Sequence, residues 1–152
     1  MTASQLLLRP LTEDDIPTIF SLTSDPEVAR FMRFSTHESI QEAEDLYREY
    51  TSPGNYGYMI CLKDALTPVG VAALKKEENE EYTRSMSVYL YPRFWNRGYS
   101  TEVILHLKEA AVREGIKCLK AYVVRDNTGS CRVLEKHRFS LEEVLHFPDQ
   151  IG

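Results

Sequence analysis

Tyr89-Leu90-Tyr91-Pro92-Arg93-Phe94-Trp95-Asn96-Arg97-Gly98-Tyr99-Ser100-Thr101 is the stretch on which the reading of this chain turns. Upstream, Tyr82 to Tyr91 carries β-branched, aromatic and large apolar residues and predicts a strand. Downstream, Thr101 to Glu114 repeats Val103, Ile104, Leu107, Ala110 and Ala111 at the period of a one-sided helix. The turn between them holds one glycine, Gly98, and a Ser or Thr suited to capping the helix start. Strand, turn and helix in this order leave several backbone N–H groups unpaired and pointing the same way. The helix dipole adds partial positive charge there. Gly98 permits close approach of the backbone, and Arg93 and Arg97 can reach the same anion. Two readings follow from the residues alone: a phosphate or pyrophosphate loop, or a plain turn.

Length and composition set the bounds. The 152 residues predict one domain, 1–152, long enough for a real core. Hydrophobic content of 43% and charged content of 27% are those of an ordinary soluble globular protein. No apolar run approaches the roughly 20 residues a membrane helix needs, so no membrane partner is expected. A net charge of −5 disfavours nucleic acid and allows a cationic substrate. Cys61, Cys118 and Cys131 are odd in number and fit no metal spacing. Reduced thiols and a cytoplasmic location are the expectation, with no metal site.

Taken in order, Gln5 to Arg9 predicts a short apolar strand. Thr12 can cap a helix, with Asp15 in the capping-box place and Ile16, Ile19 and Phe20 as its buried stripe. Pro17 falls late in the first turn, which predicts an irregular start. Ser24 to Glu27 repeats the cap pattern, with Pro26 where a helix tolerates it. A third helix is expected over about 38–50, with Ile40, Ala43, Tyr47 and Tyr50 on one face. Tyr56 to Leu62 and Val69 to Lys75 predict strands joined by a turn with Asp64 and Pro68. Glu77-Glu78-Asn79-Glu80-Glu81 is expected to be a solvated hairpin tip. Gly115 is the expected C-cap of the central helix, and Ile116 to Val124 predicts a buried strand. A short helix near Ser130 to Lys136 and a last strand, Phe139 to His146, complete a mixed α/β sheet.

The run Trp95-Asn96-Arg97-Gly98-Tyr99-Ser100-Thr101-Glu102 resembles the coenzyme A pyrophosphate loop of the general N-acetyltransferase (GNAT) superfamily. The branch it most resembles is that of the ribosomal-protein-alanine N-acetyltransferases. Leu6-Leu7-Leu8-Arg9-Pro10-Leu11 with Thr12-Glu13-Asp14-Asp15 is similar to that branch's first strand and helix start. Ser24-Asp25-Pro26-Glu27-Val28-Ala29-Arg30-Phe31-Met32 is similar to its second helix. Asp126-Asn127-Thr128-Gly129-Ser130, with Val133-Leu134-Glu135-Lys136 and Phe139, resembles its second cofactor motif. The matches run in order along nearly the whole chain.

The resemblance implies the GNAT fold: a mixed, mostly antiparallel central sheet with a splayed parallel strand pair, flanked by helices. It implies acetyl-CoA as co-substrate and a primary amine, a protein N-terminus or a small amine, as acceptor. Backbone around Val88, Tyr89 and Leu90 should then meet the pantetheine arm and acetyl carbonyl, with an oxyanion donor from a bulge N–H near Ser87 or Val88. Amides from Asn96 through Arg97, Gly98, Tyr99, Ser100 and Thr101 should meet the pyrophosphate. Asn127 should hydrogen-bond the pantetheine, and Ser130 should stand near the sulfur as general acid. Plainer roles stay open for each: a packed aromatic for Trp95, a turn residue for Asn127, a helix cap for Ser130. A catalytically silent acyl-CoA-binding sensor or subunit is the rival function.

The sequence departs from the pattern in places. Arg138 stands where the family has Gly, and Leu134 where many relatives outside the branch place a Tyr acid. Ser85 occupies the strand position that often carries Glu, leaving Glu81, Glu38 or an ordered water as the base. The branch also ends in one further strand, so with the sequence stopping at Gly152 the expectation is either a truncated chain or an exposed edge covered by a neighbour, with self-association as a homodimer or a mobile C-terminus.

Overall fold

The structure, a computed structural model, describes residues 5–30, 36–64, 66–95 and 97–121. Within them lie strands β1 (Leu6–Pro10), β2 (Tyr56–Leu62), β3 (Pro68–Glu77), β4 (Glu80–Leu90) and β5 (Cys118–Ala121). Helices α1 (Ile16–Thr23), α2 (Pro26–Arg30) and α3 (Ile40–Tyr50) precede β2, and α4 (Tyr99–Arg113) joins β4 to β5. The strands lie in chain order, β1-β2-β3-β4-β5. The first three pairings are antiparallel, and β4–β5 is parallel. The expected mixed α/β architecture is therefore present. The short helix near 130–136, the last strand and any further edge fall outside the described residues, as does the region where the parallel pair would splay.

Period-two alternation sorts the sheet into two apolar faces. Tyr58, Ile60, Ala72, Leu74, Met86 and Leu90 pack with Val103, Leu107 and Ala111 of α4. Met59, Cys61, Val71, Ala73 and Tyr89 pack with Ile19 and Leu22 of α1 and Ala43 and Tyr50 of α3. The sheet is thus covered on both sides, which explains why β2 and β3 read as continuous apolar runs.

Several local expectations shift. Pro17 sits at the start of α1, and a 3₁₀ turn over Glu13–Asp15 supplies the irregular entry. Asp25, rather than Ser24, caps α2, its Oδ1 accepting the Glu27 N–H at 2.9 Å. In α1, Ile19 and Leu22 are fully buried while Ile16 and Phe20 are only partly so. Ile40 is 41% exposed, because it occupies the first turn of α3 beyond the sheet's cover. β5 is half-buried rather than buried, and Cys118 is exposed, because its only pairing among the described residues is with β4. Gly115 ends α4 in the left-handed region, as expected. Glu78-Asn79 forms the polar hairpin tip, with Asn79 at φ 63°.

The entry to α1 is held by charge. Arg9 grips Asp15 in a fork, Nη1 to Oδ2 at 2.8 Å and Nη2 to Oδ1 at 2.7 Å, while the Thr12 N–H donates to the same carboxylate at 2.8 Å. Burial alone would raise the Asp15 carboxyl, but the Arg9 and Thr12 hydrogen bonds outweigh it and hold it below the usual range. Asp15→Asn should lower the unfolding free energy by roughly 1.5–3 kcal/mol in urea denaturation at pH 7. Because the folded pKa is depressed, this contribution is present above about pH 4 and is lost as pH falls through the folded value. The variant should lack that acid-dependent loss; equal stability at neutral pH would contradict the assignment.

Candidate active site

β4 is zipped to β3 along one edge. The register runs unshifted from Gly70–Leu90 to Lys76–Arg84, so the bulge expected at Ser87 or Val88 is not in this ladder. The irregularity falls at Lys76/Glu77, where the hairpin tip absorbs it. The Tyr91 N–H donates to the Val69 carbonyl at 3.0 Å, which places the backbone groups of odd-numbered β4 residues on the β3 side. Even-numbered residues face β5: the Lys117 N–H donates to the Tyr82 carbonyl, and the Trp95 Nε1–H to the Leu90 carbonyl at 3.0 Å. By alternation Val88 also turns its N–H and C=O to the β5 side, whereas the backbone of Ser87 and Tyr89 is committed to β3. The β4–β5 ladder of the described residues ends at Met86–Ala121, so Val88 lies past it.

Beyond Leu90 the chain makes a tight 3₁₀ turn over Pro92–Phe94 and enters α4. Phe94 is buried in the α4-side core, 5.9 Å from the Tyr99 ring. Trp95 packs against that core, as the packed-aromatic reading has it, and its indole N–H also ties the loop to the end of β4. Arg93 lies 4.9 Å over the rings of both Tyr91 and Phe94, so it braces the turn instead of standing free beside Arg97. Arg97 is exposed.

No Ser or Thr caps α4. Gly98 takes the N-cap place with φ 80°, a conformation that glycine adopts at no steric cost. The first intrahelical bond runs from the Glu102 N–H to the Gly98 carbonyl at 3.3 Å. The amides of Tyr99, Ser100 and Thr101 therefore precede the helix ladder, beside the carboxyl end of β4, where the dipole is positive. A Cβ at Gly98 would meet nothing within 4 Å. The acidic residue in this turn, Glu102, faces elsewhere: its Oε1 accepts the N–H groups of Gln5 at 2.6 Å and Leu6 at 3.1 Å.

The structure thus brings Val88 and Leu90 to one end of β4 and Arg97, Gly98, Tyr99, Ser100 and Thr101 to the loop beside it. Tyr89 contributes a side chain to the opposite face. Asn96, Asn127 and Ser130 lie outside the described residues. Glu81 is far from this end: seven residues of strand separate it from Val88, roughly 23 Å at about 3.3 Å each, too far for a base acting there. Sequence reasoning missed Gly70, although an isolated Gly inside a strand pattern signals close backbone approach. A Cβ there would collide with the Tyr89 carbonyl oxygen and come within 2.8 Å of Leu90 Cα.

The family profile described as "Acetyltransferase (GNAT) domain" matches residues 5–140. An uncharacterized N-acetyltransferase, YoaA, of Bacillus subtilis (strain 168) is 25% identical over 150 residues, covering 95% of this chain and 85% of that protein. Among solved structures, spermidine N-acetyltransferase from Vibrio cholerae, in complex with CoA and spermine, superposes with TM-score 0.83 at 17% identity, covering 93% of this chain and 84% of that one. RimL, a ribosomal L7/L12 alpha-N-protein acetyltransferase in complex with coenzyme A, gives TM-score 0.80 at 18% identity, covering 93% and 83%. Both likenesses are of fold.

The two glycines make a paired test. Gly98→Ala should cost about 1–2 kcal/mol, the penalty of a left-handed non-glycine residue, without a clash. Gly70→Ala should cost about 1–3 kcal/mol or more by pushing β3 and β4 apart, and should also shift amide resonances at Val88–Leu90. Unperturbed resonances there would remove Gly70 from the site.

Proposed function

Because this chain belongs to the acetyltransferase (GNAT) family, and is thus an acyl-CoA-dependent acetyltransferase, we propose that it moves an acetyl group from acetyl-CoA to a primary amine by direct attack in a ternary complex. The observation that carries this reading is the adjacency of two backbone surfaces that have no backbone partner among the described residues: the β5-facing edge of β4 at Val88 and the first turn of α4. An extended pantetheine arm pairs with the first, and the pyrophosphate seats on Gly98, Tyr99, Ser100 and Thr101, with Arg97 and Asn96 alongside. The Val88 N–H is the donor that meets the carbonyl oxygen as it becomes an oxyanion; losing such a donor typically costs about 10²–10³ in rate. Asn127 holds the pantetheine, and Ser130 donates a proton to the departing thiolate.

The acceptor is a protein N-terminal amine or a small amine such as a polyamine or an aminoglycoside. The structural neighbours named above include one acetyltransferase of each kind. The acceptor side is framed by the first helices and the hairpin, the parts of the fold least constrained by the cofactor motifs. We place the enzyme in the cytoplasm. Among the described residues no helix is long and apolar enough to cross a membrane.

Incubation of acetyl-CoA with a panel of amines and N-terminal peptides, followed by mass spectrometry, should yield a monoacetylated product. Binding of CoA without turnover of any amine would instead favour a silent acyl-CoA sensor. Gly98→Val, which puts a bulky side chain where the backbone would approach the ligand at a modest left-handed cost in stability, should weaken CoA binding severely in calorimetry, and an unchanged affinity would sink the pyrophosphate assignment. For Ser130→Ala, kcat should fall at least tenfold, positioned proton transfer being worth about 10²–10⁴ in rate, while acetyl-CoA affinity barely moves. If only the melting temperature falls, Ser130 is a cap and not the acid.

A further inference from the structure

The outward edge of β4 stops at Leu90, and residues of the following turn stop it. Val88 and Leu90 direct their backbone groups to the β5 side, where neither has a backbone partner among the described residues. The Leu90 carbonyl is nevertheless engaged, because the Trp95 Nε1–H donates to it at 3.0 Å. Pro92, the next even-numbered residue, has no N–H to offer. Among the described residues this leaves, in order, the Val88 N–H, the Val88 C=O and the Leu90 N–H. In hydrogen-bonding terms the edge reads donor, acceptor, donor.

The acyl end of an acyl-CoA is the complement of that pattern. Read from the thioester, its arm presents a carbonyl oxygen, an amide N–H and an amide carbonyl, which is acceptor, donor, acceptor. Only the alignment with the thioester carbonyl on the Val88 N–H fills every position. The arm's next amide N–H meets a Leu90 carbonyl already taken by the indole, so the arm must leave the strand there. It leaves toward the first turn of α4, whose Tyr99, Ser100 and Thr101 amides precede the helix ladder.

Trp95 also decides where that turn lies. Its backbone N–H closes on the Pro92 carbonyl at 3.0 Å, and its ring packs on the α4-side core. The indole bond spans five residues and joins the end of β4 to the loop leading into Gly98.

Resting on the acetyl-transfer reading above, we propose that Trp95 is a positioning residue whose indole N–H ends the β4 edge at Leu90 and fixes the distance from the Val88 N–H to the α4 amides. The pyrophosphate and the thioester carbonyl are then seated at the same time. A flexible arm absorbs a displaced loop with little loss of affinity, whereas a carbonyl displaced from its donor loses rate. Trp95 acts through the Leu90 carbonyl and not on the reacting atoms.

Trp95 is the one tryptophan of the chain, so its N–H can be removed without changing its shape. Benzothienylalanine, incorporated in place of tryptophan, carries sulfur where the indole has N–H and keeps the packing. In the full chain, with whichever amine of the panel turns over fastest, this replacement should lower kcat roughly tenfold, the loss of one oriented hydrogen bond. The dissociation constant for CoA, measured by calorimetry, should barely change. Trp95→Phe should lower kcat at least as far, and a fluorinated tryptophan, which keeps the N–H, should retain most of the activity. Wild-type kcat in the benzothienylalanine protein would overturn the inference and leave acetyl transfer standing. So would a fall in kcat matched by an equal loss of CoA affinity, which would make Trp95 a support of the pyrophosphate seat alone. Absence of turnover by the unsubstituted protein with every amine would overturn both.

Discussion

The close approach of β3 to β4 at Gly70 is the constraint on which the site depends. Strand pairing fixes neighbouring backbones about 4.8 Å apart, and here no side chain on β3 intervenes between Val69 and Val71, because the residue between them is glycine. With that edge zipped in unbroken register, β4 can offer only its other edge to a ligand. Alternation then decides which residue does so. Val88 and Leu90 face outward, and the indole of Trp95 already engages the Leu90 carbonyl. The arrangement leaves Val88 as the backbone unit best placed for an extended partner.

The same alternation explains why one strand serves two chemistries. Its even positions complete a core with α4 and its odd positions carry hydroxyls against α1 and α3. A ligand paired with the β5-facing edge of β4 would thus make no demand on the α1–α3 face. Burial of the Tyr50–Tyr89 pair favours this division, because two phenols in an apolar setting must satisfy each other. The pair raises both groups above their ordinary pKa through desolvation. Two neutral phenols held this way cannot serve as a base at neutral pH.

Much of this was legible in the sequence, and the reasons it was or was not are local. Tyr56 to Leu62 was bounded correctly because Gly54 and Asn55 precede it and a polar turn follows. The helix after Gly98 was legible from the spacing of Val103, Ile104, Leu107, Ala110 and Ala111, all of them buried. Its first residue was not, because Ser100 and Thr101 have capping chemistry and yet lie inside the first turn, while Gly98 caps by conformation. Ile40 failed because periodicity reports a face without reporting where that face runs out of sheet. Gly70 and the Tyr50–Tyr89 contact involve residues 20 and 39 apart in sequence, and no window of local pattern contains them. Asn127 and Ser130 rest on motif alone.

Glu102 shows how an acidic residue can belong to the turn proposed above to bind an anion. A carboxylate in the first turn of a helix is stabilised by the dipole, and it would also repel a phosphate seated on the same amides. Here it leaves that position, because the amides of Gln5 and Leu6 draw it sideways onto the start of β1. The helix keeps the stabilisation, and the loop amides keep their positive field. The contact spans 97 and 96 residues of sequence and fixes the first strand to the loop-bearing helix. Under the acetyl-transfer reading proposed above, anchoring and pyrophosphate binding would use different sides of one helical turn, the charge at position 102 being answered by the amides of Gln5 and Leu6.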